Sequence, residues 1–283
     1  MQISANQCSI RKLRNHEIED ALQLFMRSFR RSDDESLYLL TKKHWTNWQQ
    51  SNLAEFYAAF HHSKLIGLCL CFPFKTTASL GYMVVDIDYQ RQGIGRLLLG
   101  TIIKELEQKE ISSIRLYATK MGENLYKKFD FHEDCIGSIY EFNFHEEIKP
   151  RSLRVRISKR ILPWVYILDK TVYGDDRTKL LRFLIKNGQL LVKPRSGFAF
   201  IRDDLVGPIV AKNIPVFIDL LKYAYTLGGR RLYYLTHDER SRKLIEVLHL
   251  IENTVMRCKR MIRGQDIDEN LSYFYAMYNY AIG

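Results

Sequence analysis

Met83-Val84-Val85-Asp86-Ile87-Asp88-Tyr89-Gln90-Arg91-Gln92-Gly93-Ile94-Gly95-Arg96-Leu97-Leu98-Leu99 decides how this chain is read. An apolar strand runs through a short polar turn into a helix start bracketed by glycines. Without β-carbons at 93 and 95 an anionic group can approach the backbone, and the first amides of the following helix have no partner within it. Those amides and the helix dipole favour an anion, so the segment reads as a cradle for a pyrophosphate. An ordinary strand-turn-helix whose glycines only ease the turn is the plain alternative.

The spacing narrows the choice of anion. The nucleoside-triphosphate pattern G-x-x-x-x-G-K-[ST] is absent, and the dinucleotide pattern fails because its third glycine falls at Leu98. What remains is Gln90-x-x-Gly93-x-Gly95, preceded by Val84-Val85 and followed by Leu97, Leu98, Ile102 and Leu106 at helical spacing. This resembles the acetyl-CoA-binding motif of the GNAT family of N-acetyltransferases. A second, separate stretch, Asn124-Leu125-Tyr126-Lys127-Lys128-Phe129-Asp130-Phe131, looks like that family's short helix ending in L-Y-x-K-x-G-F. The resemblance implies acetyl-CoA as acetyl donor and no metal. It implies cofactor contacts at Val84, Val85, Gln90, Arg91, Gln92, Gly93, Ile94, Gly95 and Arg96, and Tyr126 as the acid that protonates the departing thiolate. The departures are Asp130 where glycine is usual, Asp88 where proline is frequent, and Thr119 and Gly122 where asparagine and alanine are common. In a chain with seventeen tyrosines, Tyr126 by itself would read as a packing residue.

Length and composition bound the rest. At 283 residues and 46% hydrophobic, the chain can supply cores for two domains. No apolar run approaches the eighteen or so residues that span a bilayer, and no charged-then-apolar leader opens the chain. Five cysteines without a C-x-x-C pair offer neither a disulfide framework nor a zinc site, so a reducing, cytoplasmic location is expected. Net charge is zero for residues 1–150 and +11 for residues 151–283. The densest basic stretch, Lys149 to Arg160, carries six cations and no acid. It reads either as an anion-binding patch or as a solvated connector. The connector is favoured, and nucleic acid disfavoured, because no base-stacking aromatics interleave there.

Periodicity predicts strands at Cys8–Leu13, Glu55–Phe60, Lys64–Phe72, Leu80–Val85, around Ile114 and at Ile139–Phe144. It predicts helices over Ala21–Phe29, Tyr38–Gln49, Gly95–Lys109 and around Tyr126. The second half predicts helices at Thr178–Lys186, Val216–Leu227 and Ser241–Leu248, strands at Gly197–Ile201 and Arg231–Thr236, and a break at Gly207-Pro208. Several of its phrases, Gly174-Asp175-Asp176-Arg177, Gly197-Phe198-Ala199-Phe200, Gly207-Pro208-Ile209-Val210-Ala211, Arg260-Met261-Ile262-Arg263-Gly264 and Tyr275-Ala276-Met277-Tyr278, resemble the C-terminal domain of a tandem-GNAT group. The resemblance implies an α/β (α+β) fold of two tandem GNAT-like domains, each a mixed sheet flanked by helices. Residues 1–147 would be the acetyl-CoA-binding catalytic domain, 148–160 a basic linker, and 161–283 a GNAT-like domain without the phosphate-loop motif. Asp176-Arg177 and Arg260–Arg263 read equally as interdomain ion pairs or substrate contacts.

The activity so implied is transfer of acetyl from acetyl-CoA to a primary amine by direct attack in a ternary complex. Asp86, Asp88, Glu55, His61 and His62 are candidate bases. The acceptor is a small-molecule or protein amine. The turn Arg30-Arg31-Ser32-Asp33-Asp34-Glu35 either attracts a cationic acceptor or caps the next helix through Ser32 or Asp33, and the cap is the preferred reading. The alternative function is a non-catalytic CoA-binding or scaffolding protein with a basic C-terminal half.

Overall fold

The computed structural model describes residues 7–29, 31–145 and 147–282, and for 254–256 the backbone alone. The N-terminal half runs β1 (Cys8–Lys12), α1 (Ile18–Ser28), α2 (Glu35–Gln50), β2 (Glu55–His61), β3 (Lys64–Pro73), β4 (Thr77–Val85), α3 (Ile94–Gln108), β5 (Ser113–Ala118), α4 (Glu123–Lys127) and β6 (His132–Glu141). The C-terminal half runs β7 (Arg156–Ser158), α5 (Pro163–Tyr173), α6 (Thr178–Asn187), β8 (Gln189–Lys193), β9 (Gly197–Arg202), β10 (Leu205–Ala211), α7 (Ile214–Thr226), β11 (Arg231–Thr236), α8 (Glu239–Val247), β12 (Ile251–Gly264) and β13 (Phe274–Met277). The two halves repeat the same succession, with α1, α2, α3 and α4 answered by α5, α6, α7 and α8.

Among the described residues the strands form one continuous sheet, in the order β1-β2-β3-β4-β5-β12-β6-β11-β13-β10-β9-β8-β7. Its centre is a reciprocal exchange. Strand β12 of the second half lies antiparallel between β5 and β6, and β6 of the first half pairs with β11. Helices α1, α2, α5 and α6 share one apolar cluster on one face. On the other face α3 and α4 cover the first half, and α7 and α8 the second. The strand β4 runs parallel to β5, which requires a crossover, and α3 is that crossover. Its Leu98, Leu99, Ile102 and Leu106 recur at helical spacing and are fully buried, each contributing roughly 1.5–3 kcal/mol by burial.

Charged side chains lock the halves together. Arg260 on β12 is 1% exposed, and its guanidinium binds Asp134 on β6 and Glu269 (Nη2 to Oε2, 2.8 Å). Glu269 also pairs with Arg115 on β5 at 3.0 Å. Asp175 reaches back to the first half, accepting from the Thr76 and Thr77 amides at 3.0 and 2.9 Å and from Thr77 Oγ1 at 2.8 Å. So Arg260 and Arg263, which also binds Glu107 on α3, make ion pairs between the halves. Arg177 pairs within its own half with Asp169, and Asp176 accepts from the Thr178 amide.

Several sequence expectations are corrected. The strand expected at Ile139–Phe144 begins at His132, because its polar N-terminal residues pair with β12. The expected break at Gly207-Pro208 lies inside β10. The β9–β10 register skips there, so proline's missing donor falls at an irregularity, and a Cβ on Gly207 would run into the Met277 carbonyl of β13. The cap of α2 is Asp34, not Ser32 or Asp33, accepting from the Leu37 amide at 2.9 Å; Arg30 lies outside the described residues. Within the basic stretch 148–160, Leu153 and Val155 are buried, and Arg156–Ser158 pairs with β8 as an edge strand.

Candidate active site

The site forms where β4 and β5 part. They pair from Thr77/Ser113 to Leu80/Leu116, after which β4 continues alone through Gly81 to Val85. At the parting point β4 bulges. Leu70 pairs with Gly81 and Leu68 with Val84, so Tyr82 and Met83 face one residue of β3, and Tyr82 takes φ 52°. Beyond the bulge the strand has β3 on one side and an open wedge on the other.

A turn of 3-10 helix, Ile87–Tyr89, leads from β4 to α3. Asp86 is 1% exposed, caps this turn through the Asp88 amide (3.1 Å) and is held by Arg27 at 2.7 Å. Gln90 donates its side-chain amide to the Val85 carbonyl at 3.1 Å, and Gln92 to the Asp88 carbonyl at 3.0 Å. Both glutamines therefore brace the turn with their side chains. Gly93 is the N-cap of α3 at φ 85°, a conformation that favours glycine, and no side chain caps the helix. The amides of Ile94, Gly95 and Arg96 are those that a helix cannot satisfy internally. Arg91 and Arg96 stand exposed beside them. A Cβ on Gly95 would lie 3.4 Å from Leu125, 3.7 Å from Val85 and 3.8 Å from Met83, so the helix start, the end of β4 and α4 line one groove.

Tyr126 sits on α4 beneath the wedge, buried in the α3-side cluster with its ring 5.9 Å from Phe131. Its hydroxyl makes no hydrogen bond to any described residue. Burial, reinforced by the neighbouring Cys69 and Cys258 thiols, holds its pKa well above the ordinary tyrosine value. Val84 turns to the opposite face and is buried with α1 and α2.

Of the candidate bases, Asp86 and Glu55 are held in ion pairs. Besides Arg27, Asp86 has Lys64 at 3.6 Å. Glu55 binds Lys109 and Lys12 near the C-terminal end of α3, the end away from the glycines. His61 and His62 lie against each other at 4.4 Å, with His61 beside Tyr89, and Asp88 is exposed on the turn.

On the α1/α2 face, the bulge of β4 lies against a tyrosine-rich cluster that sequence reading missed. Tyr82 packs on Phe25 and Trp45 at 5.3 and 5.4 Å. Tyr280 packs on Tyr117 and Tyr233 at 5.6 and 4.8 Å. The C-terminal turn closes against β4: Ser79 Oγ donates to the Ile282 carbonyl at 2.9 Å, and a Cβ on Gly81 would stand 2.5 Å from that of Ala281. The signal that could have found Tyr82 is Gly81 inside an otherwise continuous strand pattern, which marks a bulge or a close approach.

The second half has no equivalent opening. Strands β10 and β11 meet only at Leu205/Arg231, and the gap between them is filled by β13, which pairs with both. The corresponding helix start is closed as well: Asn213 caps α7 by accepting from the Val216 amide at 3.0 Å, and Pro215 occupies the first turn. Among the described residues no helix is long and apolar enough to cross a membrane, and no cluster of three or more His, Cys, Asp or Glu could hold a metal.

Comparison with known proteins identifies the family and the fold. Residues 18–131 match the family described as acetyltransferase (GNAT) family, and residues 165–276 match a second model, acetyltransferase (GNAT) domain. A putative acetyltransferase from Pyrococcus horikoshii superposes with a TM-score of 0.87 at 26% identity, over 98% of this chain and 96% of its own. A GCN5-related N-acetyltransferase from Sphaerobacter thermophilus shares the fold, with a TM-score of 0.63 at 10% identity, over 94% of this chain and all of its own. In sequence, the uncharacterized N-acetyltransferase YitH of Bacillus subtilis is 31% identical over 119 residues, 40% of each chain. The [ribosomal protein bS18]-alanine N-acetyltransferase of Escherichia coli is 32% identical over 96 residues, 32% of this chain and 65% of its own. These alignments span less than two thirds of the curated relatives' length. With two such domains in tandem, joined by exchange of their central strands, the chain belongs to the GNAT family of acetyltransferases.

Proposed function

We propose that the protein transfers an acetyl group from acetyl-CoA to a primary amine, with one donor site, in the first domain. The observation that carries this is the contrast between the two wedges. The first is open, with an uncapped helix start at its mouth and Tyr126 beneath it; the second is filled by β13 and capped by Asn213. The amides from Gln90 to Arg96 would receive the pyrophosphate, with Arg91 and Arg96 beside them. The unpaired edge of β4 up to Val84 and Val85 would receive the pantetheine amides and, through one N–H, the oxyanion.

The neutral amine attacks the acetyl carbon, forming the C–N bond. As the tetrahedral intermediate collapses the C–S bond breaks, its electron pair leaves on sulfur, and Tyr126 Oη–H protonates it to give the free thiol. The proton lost by the amine nitrogen restores the tyrosine, through water, Asp86 and Glu55 being held in ion pairs. The tyrosine's raised pKa suits it to arrive protonated at neutral pH. The second domain supplies the wall on the acceptor side through its C-terminal turn and Tyr233. The acceptor is a small-molecule or protein amine; the likeness to the [ribosomal protein bS18]-alanine N-acetyltransferase of E. coli supports including a peptide N-terminus among those tried. Amine-dependent release of CoA thiol, followed across a panel of primary amines, tests the proposal. Transfer to at least one class of amine is expected, whereas acetyl-CoA binding without any amine-dependent release would favour the non-catalytic reading.

A further inference from the structure

Arg202 ends β9 beside the interface between the domains, and its guanidinium has an uncommon setting. It lies 4.9 Å from the centroid of the Tyr278 ring and donates to that hydroxyl. Among the described residues no carboxylate pairs with it; the nearest acids in sequence, Asp203 and Asp204, are respectively exposed and bound to Arg231. Tyr278 is 1% exposed and belongs to the same cluster as Trp45, Trp48, Tyr82, Tyr233 and Tyr280, which packs against the bulge of β4 and the C-terminal turn. The charge of Arg202 is felt across the interface. It opposes the rise in the pKa values of Tyr82 and Tyr233, and it adds to the burial that lowers His44 on α2 to about 4. In the acidic turn between α1 and α2, Asp34 is spent on the cap of α2 and on Arg31, while Asp33 and Glu35 are exposed to solvent.

An unpaired, partly desolvated guanidinium beside an amine-accepting wedge selects for an anion. We propose that the acceptor is a primary amine that also carries a carboxylate, as a free amino acid does, and that Arg202 of the second domain is the specificity residue that binds this carboxylate while the amine enters the wedge. The inference rests on the transferase reading and goes beyond it by naming the acceptor class. The planar fork of arginine matches a carboxylate in two hydrogen bonds, and the aromatic cluster beside it supplies apolar surface and hydroxyls. Asp203, the one acid whose charge acts on the pKa values of Tyr278 and His44, is exposed and makes no ion pair with Arg202 among the described residues. A polyamine would bring only positive charge to this cation.

The test is steady-state thiol release with matched acceptors: L-phenylalanine against phenethylamine, L-lysine against cadaverine, and L-alanine against L-alaninamide. The native protein should favour the carboxylate member of at least one pair by about 10–100-fold in kcat/KM. Arg202→Gln should abolish that preference through KM with kcat nearly unchanged, and Arg202→Lys should restore part of it. Both variants should fold, with a fall in melting temperature of no more than about 2–4 °C from the altered Tyr278 contact, and acetyl-CoA affinity should be unaltered. Equal or better use of the uncharged members by the native protein, a peptide N-terminus included, overturns the assignment of Arg202 and leaves the transferase reading standing. So does an undiminished preference in Arg202→Gln. Absence of release with every amine, despite normal acetyl-CoA binding, contradicts the transferase reading and this inference with it.

Discussion

Replacing Tyr126 by Phe removes a single oxygen, and the structure separates its two consequences. The hydroxyl bonds to no described residue, so its loss breaks no internal hydrogen bond. The ring's packing against Phe131 and the α3 cluster is kept. Folding stability should therefore stay within about 1 kcal/mol, or about 2–4 °C in Tm for a domain of this size. The rate should behave differently. Proton delivery to a leaving group contributes typically about 10²–10⁴-fold, equivalent to about 3–5 kcal/mol of barrier. We expect kcat to fall by that factor while the acetyl-CoA Kd, measured by calorimetry, changes by no more than about twofold. Burial raises the tyrosine's pKa above its ordinary value of 10.0, so it stays protonated up to at least that pH. The pH-rate profile of the native protein should then show no descending limb from this group below pH 10.0. An unchanged kcat in Tyr126→Phe, or a limb at pH 8–9 that disappears in the variant, refutes its role as the acid.

Other predictions follow from the interdomain contacts. Arg260→Met removes the partner of Asp134 and leaves the buried Glu269 with Arg115 alone; it should destabilise by about 3–5 kcal/mol in chemical denaturation. Asp175→Asn puts an amide donor against the donors of Thr76, Thr77 or Asp176 whichever way it is turned, and should lower stability by about 2–3 kcal/mol, read as a fall in Tm. Residues 1–147 expressed alone lack β12, which leaves β5 and β6 with an unfilled strand position between them; the fragment should show poor thermal cooperativity or aggregate, unlike the full chain. His44 is kept neutral mainly by burial and then by Arg202, its pKa lowered from 6.5 to about 4. A depressed histidine stabilises the fold above the unfolded value, and this contribution is lost as pH falls from 6.5 towards 4. His44→Phe should flatten that part of the stability-pH curve.

What the sequence disclosed was what is local. The strand-turn-helix around Gly93 and the helix of Tyr126 are each encoded within about a dozen consecutive residues, by glycine conformation and helical spacing; α3 stands one residue from its expected limits, β4 begins at Thr77 rather than Leu80, and Tyr126 lies on a short helix as expected. The strand β12 escaped because it is flanked on both sides and its inward positions include Arg260; a buried arginine satisfied by Asp134 and Glu269 erases the alternation that announces a strand. The edge strand β7 and the short β13 escaped because three or four residues carry no period. The acceptor-side surface was out of reach for another reason. Tyr82, Tyr117, Arg202, Tyr233, Tyr278 and Tyr280 come from four strands and the C-terminal segment, and only the strand exchange brings them together.

The count of acetyl-CoA molecules bound per chain tests the central claim, that one wedge is open and its counterpart closed. Calorimetry on the native protein should give one site, and Gly95→Glu should abolish it. A side chain at 95 must grow into the groove between Val85 and Leu125, while a carboxylate in the first turn of α3 leaves the helix dipole satisfied and the melting temperature close to native. Two sites per chain, or one site untouched by Gly95→Glu, would contradict the account.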